Sequence, residues 1–121
     1  MAKTFTVQTK IPTSVVEGLI TTAFEGGSNY WYTNLKADDA DKLDDVEYWH
    51  IELPMMEGRY VTFKDIDDDE HRLDLAAIKK GLAIMAAKYP RHMNDAIVEN
   101  DDGDTADVFL QCCIYGNVVY G

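Results

Sequence analysis

The sequence has little cysteine and no long apolar run. Its two cysteines, Cys112 and Cys113, are neighbours, and neighbouring residues cannot easily form a disulfide with each other. We therefore predict free thiols in a reduced setting, where cysteine packs as a small core residue. No apolar run approaches the roughly 20 residues that a membrane helix needs, and residues 1–5 lack the apolar stretch of a signal peptide. These absences predict a protein of the cytoplasm that has no membrane segment.

Basic residues are scarce. The chain has 11 Lys and Arg against 22 Asp and Glu, which gives a formal net charge of -11. Proteins that bind nucleic acid directly or attach to anionic membranes need a basic surface, so both classes are disfavoured. The charge favours solubility, or an acidic face that meets a protein with a basic surface.

Motifs for catalysis and metal binding are also missing. The three histidines include no helical i, i+4 pair, and no Cys-x-x-Cys occurs, so a zinc site is disfavoured. Asp65, Asp67 and Asp69 resemble the start of a calcium loop, but Glu70 and Ala76 stand where that loop needs glycine and glutamate. No Gly-x-Ser-x-Gly elbow and no phosphate-loop lysine is present. We predict a protein that is not an enzyme and that uses no cofactor and no metal.

The apolar patterning predicts one domain spanning residues 1–121, with an α+β fold. We expect a small antiparallel sheet of about three to four strands packed against three or four helices. Alternation of apolar residues predicts strands, and apolar stripes at helical spacing predict helices. The strands are expected at 4–8, 46–53, 60–66 and 71–73, and the helices at 13–25, 75–88, 91–98 and 105–115.

Several residues are expected to begin or end these helices. Ser14 and Glu17 have the spacing of a capping box, and Gly26 with Gly27 predicts a left-handed helix end. Asp74 is expected to cap the helix at 75–88, Pro90 to lie in the first turn of the helix at 91–98, and Asp104 or Thr105 to cap the last helix. Gly116 is expected to end that helix, and the apolar residues 118–120 to dock on the domain.

An aromatic segment follows the first helix: Asn29, Tyr30, Trp31 and Tyr32. Three adjacent rings cannot all enter one core from an extended backbone, because alternate side chains face opposite ways. Two interpretations stay open. The rings seal the seam between helix and sheet, or at least one ring contacts a ligand or partner, for which the amphipathic Tyr and Trp are suited.

The acidic residues cluster near predicted loops and element ends, so we expect all of them to be solvated. They form a solvated rim or a partner surface, which could mimic the phosphate backbone of DNA if the clusters shared one face. Asp65 and Asp107 are grouped with these clusters. The candidate partner surface is Asp38, Asp39, Asp41, Asp44, Asp45, Asp67, Asp68, Asp69, Glu70, Asp101, Asp102 and Asp104.

Three stretches give the chain a resemblance: 25–32 (EGGSNYWY), 105–111 (TADVFLQ) and the closing 115–121 (YGNVVYG). They resemble a group of short phage and prophage proteins of unassigned function. The resemblance is clearest in the first helix and the C-terminal third and weakest between residues 38 and 73. It implies a phage accessory protein in the cytosol of the host cell and brings no catalytic residues with it.

These observations support three hypotheses. The leading one is a phage protein that inhibits a host defence or nucleic-acid-handling protein through an acidic face. The second is a sponge for a nucleotide-like signal held by the aromatic segment, with Arg59, Arg72 or Arg91 as the phosphate partner. The third is a virion assembly protein that forms homo-oligomers through the same rings.

Overall fold

The computed structural model of the protein describes residues 3–5, 7–99 and 102–121. The α+β class is confirmed, with three strands and five helices among these residues. Helices outnumber the prediction by one because a helical turn replaces a predicted strand. The elements are α1 (Thr13–Thr22), β1 (Thr33–Ala37), α2 (Trp49–Glu52), β2 (Val61–Lys64), β3 (Glu70–Leu73), α3 (Leu75–Lys88), α4 (Pro90–Ile97) and α5 (Gly103–Tyr115).

The three strands form an antiparallel sheet in the order β1-β2-β3. Val61 pairs with Leu73 and Phe63 with His71, so these side chains share one face. Val61, Phe63 and Leu73 are buried there, whereas the alternate residues of β3, Glu70 and Arg72, are exposed. The sheet therefore has one core face, as its alternating sequence predicts.

Two predicted strands are wrong, and β1 is missed. The described part of 4–8 belongs to no strand, and Phe5 and Val7 are 98% and 83% exposed. β1 takes the place beside β2 that residues 46–53 were expected to fill. Those residues turn instead, because the Glu52 carboxylate accepts the amides of Glu47 and Tyr48 at 3.0 and 2.6 Å and starts α2.

The first helix begins and ends differently from the prediction. α1 starts after Pro12 with no capping hydrogen bond from a side chain, so the predicted capping box is wrong. At its end the helix widens into a π-helical turn, Ala23–Gly27, and stops at Ser28 without a left-handed glycine. Gly27 is needed for close packing instead, since a Cβ there would lie 2.5 Å from the carbonyl oxygen of Gly103.

α5 is the central helix of the core. Every residue from Thr105 to Cys113 is buried, so the helix is enclosed on all sides and not on a single stripe. α3 crosses it closely at Gly81, where a Cβ would lie 2.3 Å from the Cys113 sulfur. Both cysteines are buried free thiols, as predicted.

Three of the predicted helix limits around this core are confirmed and one is shifted. Asp74 caps α3 by accepting the Ala77 amide at 2.8 Å. Gly116 ends α5 in the left-handed region, at φ 76°. α4 starts at Pro90, as predicted. The cap of α5 is Asp102, which accepts the Thr105 amide at 3.1 Å, and not Asp104 or Thr105.

Candidate functional site

The aromatic segment is built around a buried carboxylate that the sequence analysis places in solvent. Asp107, on α5, is 8% exposed. One of its oxygens accepts hydrogen bonds from the Ser28 hydroxyl at 2.8 Å and the Trp31 ring nitrogen at 2.7 Å. The other accepts the Gln111 amide at 3.0 Å and the Tyr30 hydroxyl. The prediction that Asp107 is solvated is wrong, because four donors compensate its loss of water.

The four donors occupy the acceptor positions of this carboxylate, so we assign Asp107 a structural role. Its partners come from the π-helical end of the first helix, the aromatic segment and α5 itself. Gln111 also holds the tail, since its carbonyl oxygen accepts the amides of Val119 and Tyr120 at 2.7 and 2.8 Å. Asp107 and its four donors, which we call the Asp107 centre, therefore fix the aromatic segment and the tail against α5.

The structure separates the three rings of the segment. Trp31 is 2% exposed and stacks on Tyr120, with ring centres 5.3 Å apart. Tyr32 is half-buried, and its hydroxyl donates to the carbonyl of Phe24. Tyr30 is 52% exposed, and Asn29 is exposed beside it. One ring thus lies on the surface, while burial removes Trp31 from direct contact with a partner.

The Tyr30 side chain is both exposed and anchored. Its ring faces solvent, while burial of the hydroxyl and its hydrogen bond to Asp107 raise the pKa of Tyr30 to about 12. The hydroxyl therefore stays protonated at neutral pH, and the ring is presented in a fixed orientation.

Tyr30 lies at the junction of two surface grooves. One, of about 620 Å³, is lined by Glu25, Tyr30 and Asp104 together with Thr21, Thr22 and backbone at Gly26, Gly27 and Gly103. The other, of about 430 Å³, also contains Tyr30 and Asp104 and is bounded by the tail residues Val118 and Tyr120.

A third groove, of about 450 Å³, continues the first through the shared Thr21. Tyr48, 56% exposed, lies in it among carboxylates. Among the residues that the structure describes, no Lys or Arg lines any of the three grooves. We call the surface carboxylates along them the acidic strip: the exposed Glu17, Glu25, Asp45, Glu47 and Asp104, and the half-buried Glu52, which also accepts two backbone amides.

Asp45 and Asp104 are the predicted acidic residues that the structure brings onto the strip. The Asp38 carboxylate is paired within the chain, because Arg59 donates to both of its oxygens at 2.7 and 2.8 Å. That pairing lowers the pKa of Asp38 to about 2. The remaining predicted residues line none of the three grooves: Asp39, Asp41, Asp44, Asp67, Asp68, Asp69, Glu70 and Asp102. Asp101 lies outside the described residues.

Asp65 is a second buried carboxylate, at 5% exposure, so its predicted solvation is also wrong. It accepts the amides of Asp67 and Asp69 at 2.9 and 3.1 Å, His71 at 2.8 Å and the Tyr115 hydroxyl at 2.7 Å. Burial by itself would raise the pKa of Asp65, but the bonds from His71 and Tyr115 outweigh it and hold the pKa at about 2. Burial and Asp65 raise the pKa of Tyr115.

None of the arginines considered for phosphate binding lines a groove at Tyr30. Arg59 is bound to Asp38, and Arg72 is bound to Asp74 at 3.1 Å and lies over the Tyr60 ring. Arg91 is exposed on α4 and lines neither groove at Tyr30. The acidic walls beside Tyr30 favour a cationic group over a phosphate.

Sequence reasoning missed the buried carboxylates and four of the six residues of the acidic strip. The signal for Asp107 is its position inside the apolar stretch Ala106–Leu110, where a charge on a buried helix needs donors. Glu17, Glu25, Glu47 and Glu52 lie outside the predicted partner surface. The packing of α1 beside α2 brings Glu17, Glu47 and Glu52 to one groove, and Glu25 lines the groove that shares Thr21 with it. That proximity has no local signature.

Comparisons with known proteins found no relative. No protein-family model matches the chain, and no curated protein and no solved structure does. Among the described residues, no group of three or more His, Cys, Asp or Glu side chains is placed to hold a metal ion. Within the same residues, every helix is too short or too polar to cross a membrane.

Proposed function

We propose that this chain is a binding protein whose acidic strip docks on a basic surface of another protein. The observation that carries the proposal is the run of adjoining grooves that holds six carboxylates and two half-exposed tyrosines. Opposite charge speeds and orients association. Exposed tyrosine rings supply contact area and can accept a cationic side chain on their faces.

The resemblance to short phage and prophage proteins supplies the biological setting of this proposal. The partner would then be a host defence or nucleic-acid-handling protein, whose own basic surface binds the phosphate backbone. Docking of the strip there would inhibit that partner by occupying its nucleic-acid site.

A charge-matched pair of variants tests the strip. The strip variant carries Glu25→Gln, Asp45→Asn and Asp104→Asn, and the control carries Asp67→Asn, Asp68→Asn and Glu70→Gln on the exposed β2–β3 turn. Both variants lose three charges. With a peptide rich in lysine and arginine as probe, we expect the strip variant to bind at least about tenfold more weakly than the control.

The wild-type affinity for the probe should also fall steeply with added salt, because exposed charges are screened within about 10 Å at 0.1 M. Equal losses in the two variants would mean that binding follows net charge alone, which contradicts the strip. For the host partner, both chains are used as baits in infected cells. A basic protein captured by the control and not by the strip variant supports the proposal, and inhibition of that protein must follow the same order.

A further inference from the structure

The acidic strip has an opposite on the same molecule. Residues 3–12 and α3 together hold five of the 11 Lys and Arg residues and no Asp or Glu. These basic residues are Lys3, Lys10, Lys79, Lys80 and Lys88. In a chain of net charge -11, residues 3–12 and α3 are therefore a locally basic part of the surface, which we call the basic face, although Lys88 is bound to the Gly116 carbonyl at 3.1 Å.

An apolar groove of about 320 Å³ lies on this basic face, between α3 and α4 and beside the N-terminal segment. Leu82, Ala83 and Ala86 of α3 line one wall, and Met93 and Ile97 of α4 line the other. It is large enough to accept an aromatic side chain.

Two lysines lie next to residues that line the groove, but neither lines it. Lys79 lies one helical turn before Ala83 on α3, and it lines a separate groove together with Asp74. Lys10 lies between Thr9 and Ile11, and this alternation places its side chain on the other side of the segment. An occupant that matches this setting has an exposed apolar ring surrounded by carboxylates.

The chain itself presents such a ring. Tyr48 is 56% exposed and shares its groove with Asp45, Glu47 and Glu52. We propose that the α3–α4 groove is a docking site for the acidic strip of a second copy of this chain, with Tyr48 entering the groove and Asp45 and Glu47 attracted to the basic face around it.

The charges also select the symmetry of this contact. Two basic faces would repel each other, so the groove does not pair with its own copy. Strip against groove is a head-to-tail contact, in which each copy keeps one free groove and one free strip, so chains can grow or close into a ring. This inference goes beyond the proposed function, and its test contains only copies of this chain.

Sedimentation velocity across a concentration series tests self-association. We expect the average mass to rise with concentration at low salt and to fall towards the monomer as salt is added. Ala86→Asp, at an exposed residue of the groove wall, should weaken association at least about tenfold. Ala87→Asp makes the same charge change at the next exposed residue, outside the groove. It should weaken association much less than Ala86→Asp, because it adds one charge and leaves the groove intact.

A mixing experiment tests the head-to-tail arrangement. The second strip variant carries Asp45→Asn, Glu47→Gln and Tyr48→Ser. At a concentration where the wild type associates, this variant alone and Ala86→Asp alone should each remain monomeric. Mixed together, they should form a one-to-one dimer and nothing larger, because only one intact strip and one intact groove remain.

Three results would overturn the proposal: a monomer at every concentration, equal effects of Ala86→Asp and Ala87→Asp, or no dimer in the mixture. If Ala86→Asp weakens association and the second strip variant does not, the groove pairs with another surface, and the proposal is also overturned.

Discussion

Asp107 and Asp65 are both buried carboxylates that collect four donors, but they collect them from different distances along the chain. Asp107 accepts hydrogen bonds from Ser28 and Trp31, which lie 79 and 76 residues away in the chain. Asp65 accepts hydrogen bonds from two amides of its own turn and from His71, which lies six residues away. Tyr115 alone reaches it from afar, across 50 residues.

The two buried carboxylates therefore stabilise different parts of the fold. The Asp107 centre joins the end of the first helix, the aromatic segment and the tail to the central helix, and it holds Tyr30 in place between two grooves. The Asp65 centre shapes the β2–β3 turn and ties it to the end of α5. Loss of the first should affect the whole fold, whereas loss of the second should be more local.

Asp107→Ala should break the larger of the two centres. It leaves the Ser28, Trp31 and Gln111 donors without their acceptor, and an unsatisfied buried donor is costly. We expect the free energy of unfolding to fall by at least about 3 kcal/mol, which lowers Tm by roughly 10 °C. Urea and thermal denaturation followed by circular dichroism measure both.

Asp104→Ala is the control for this substitution, since Asp104 is exposed less than one turn away on the same helix. It should change stability by no more than about 0.5 kcal/mol. If the two variants have similar stability, the donors of the Asp107 centre are well satisfied by water, and the proposed difference between the centres disappears.

Asp65→Asn should have an intermediate effect that depends on pH. At pH 7 the Asn oxygen can still accept the turn amides, so we expect a loss of about 1 to 2 kcal/mol from the bonds to His71 and Tyr115. The folded pKa of Asp65 is lowered to about 2 from an ordinary 3.8. Its ionised form therefore stabilises the fold above the unfolded pKa, and this contribution fades as pH falls through the folded pKa.

The measurement is the stability of both proteins from pH 7 down to the acid limit of folding. The difference between wild type and Asp65→Asn should be constant above about pH 5 and should shrink between about pH 4 and 2. A difference that grows with acidity would show that Asp65 is protonated in the folded protein, which contradicts the geometry of its donors.

Local sequence signals predicted the parts of the fold that local physics determines. Asp74, Pro90 and Gly116 mark helix limits because each acts on backbone within a few residues. Two local predictions failed, the capping box at Ser14 and Glu17 and the cap of α5. The error in residues 46–53 came where a long-range partner adds to the local hydrogen bonds of Glu52. Residues 46–53 alternate like a strand, but β1 already occupies the edge of β2.

The candidate site shows the same division. The sequence left open whether the rings of the aromatic segment seal the seam between helix and sheet or whether at least one of them contacts a partner, and it could not identify Tyr30 as the exposed ring. The position of the Tyr30 ring depends on its hydrogen bond to Asp107, and the burial of Asp107 follows only from the packing of other elements around α5. Likewise, Asp45 and Asp104 were recognised as acidic, but the strip depends on how α1, α2 and the start of α5 meet.

Tyr30→Phe gives the smallest effect and the sharpest test of what the Asp107 centre does for the surface. It removes one of four donors and keeps the ring, so the free energy of unfolding should fall by only about 1 kcal/mol. Tyr48→Phe, at a similarly exposed tyrosine of the strip, should cost less. If the centre exists to orient the Tyr30 ring, binding of the basic probe should weaken more in Tyr30→Phe than in Tyr48→Phe, because a ring that has lost its anchor must be ordered on binding. Equal affinities would show that the Asp107 centre stabilises the fold without serving the surface.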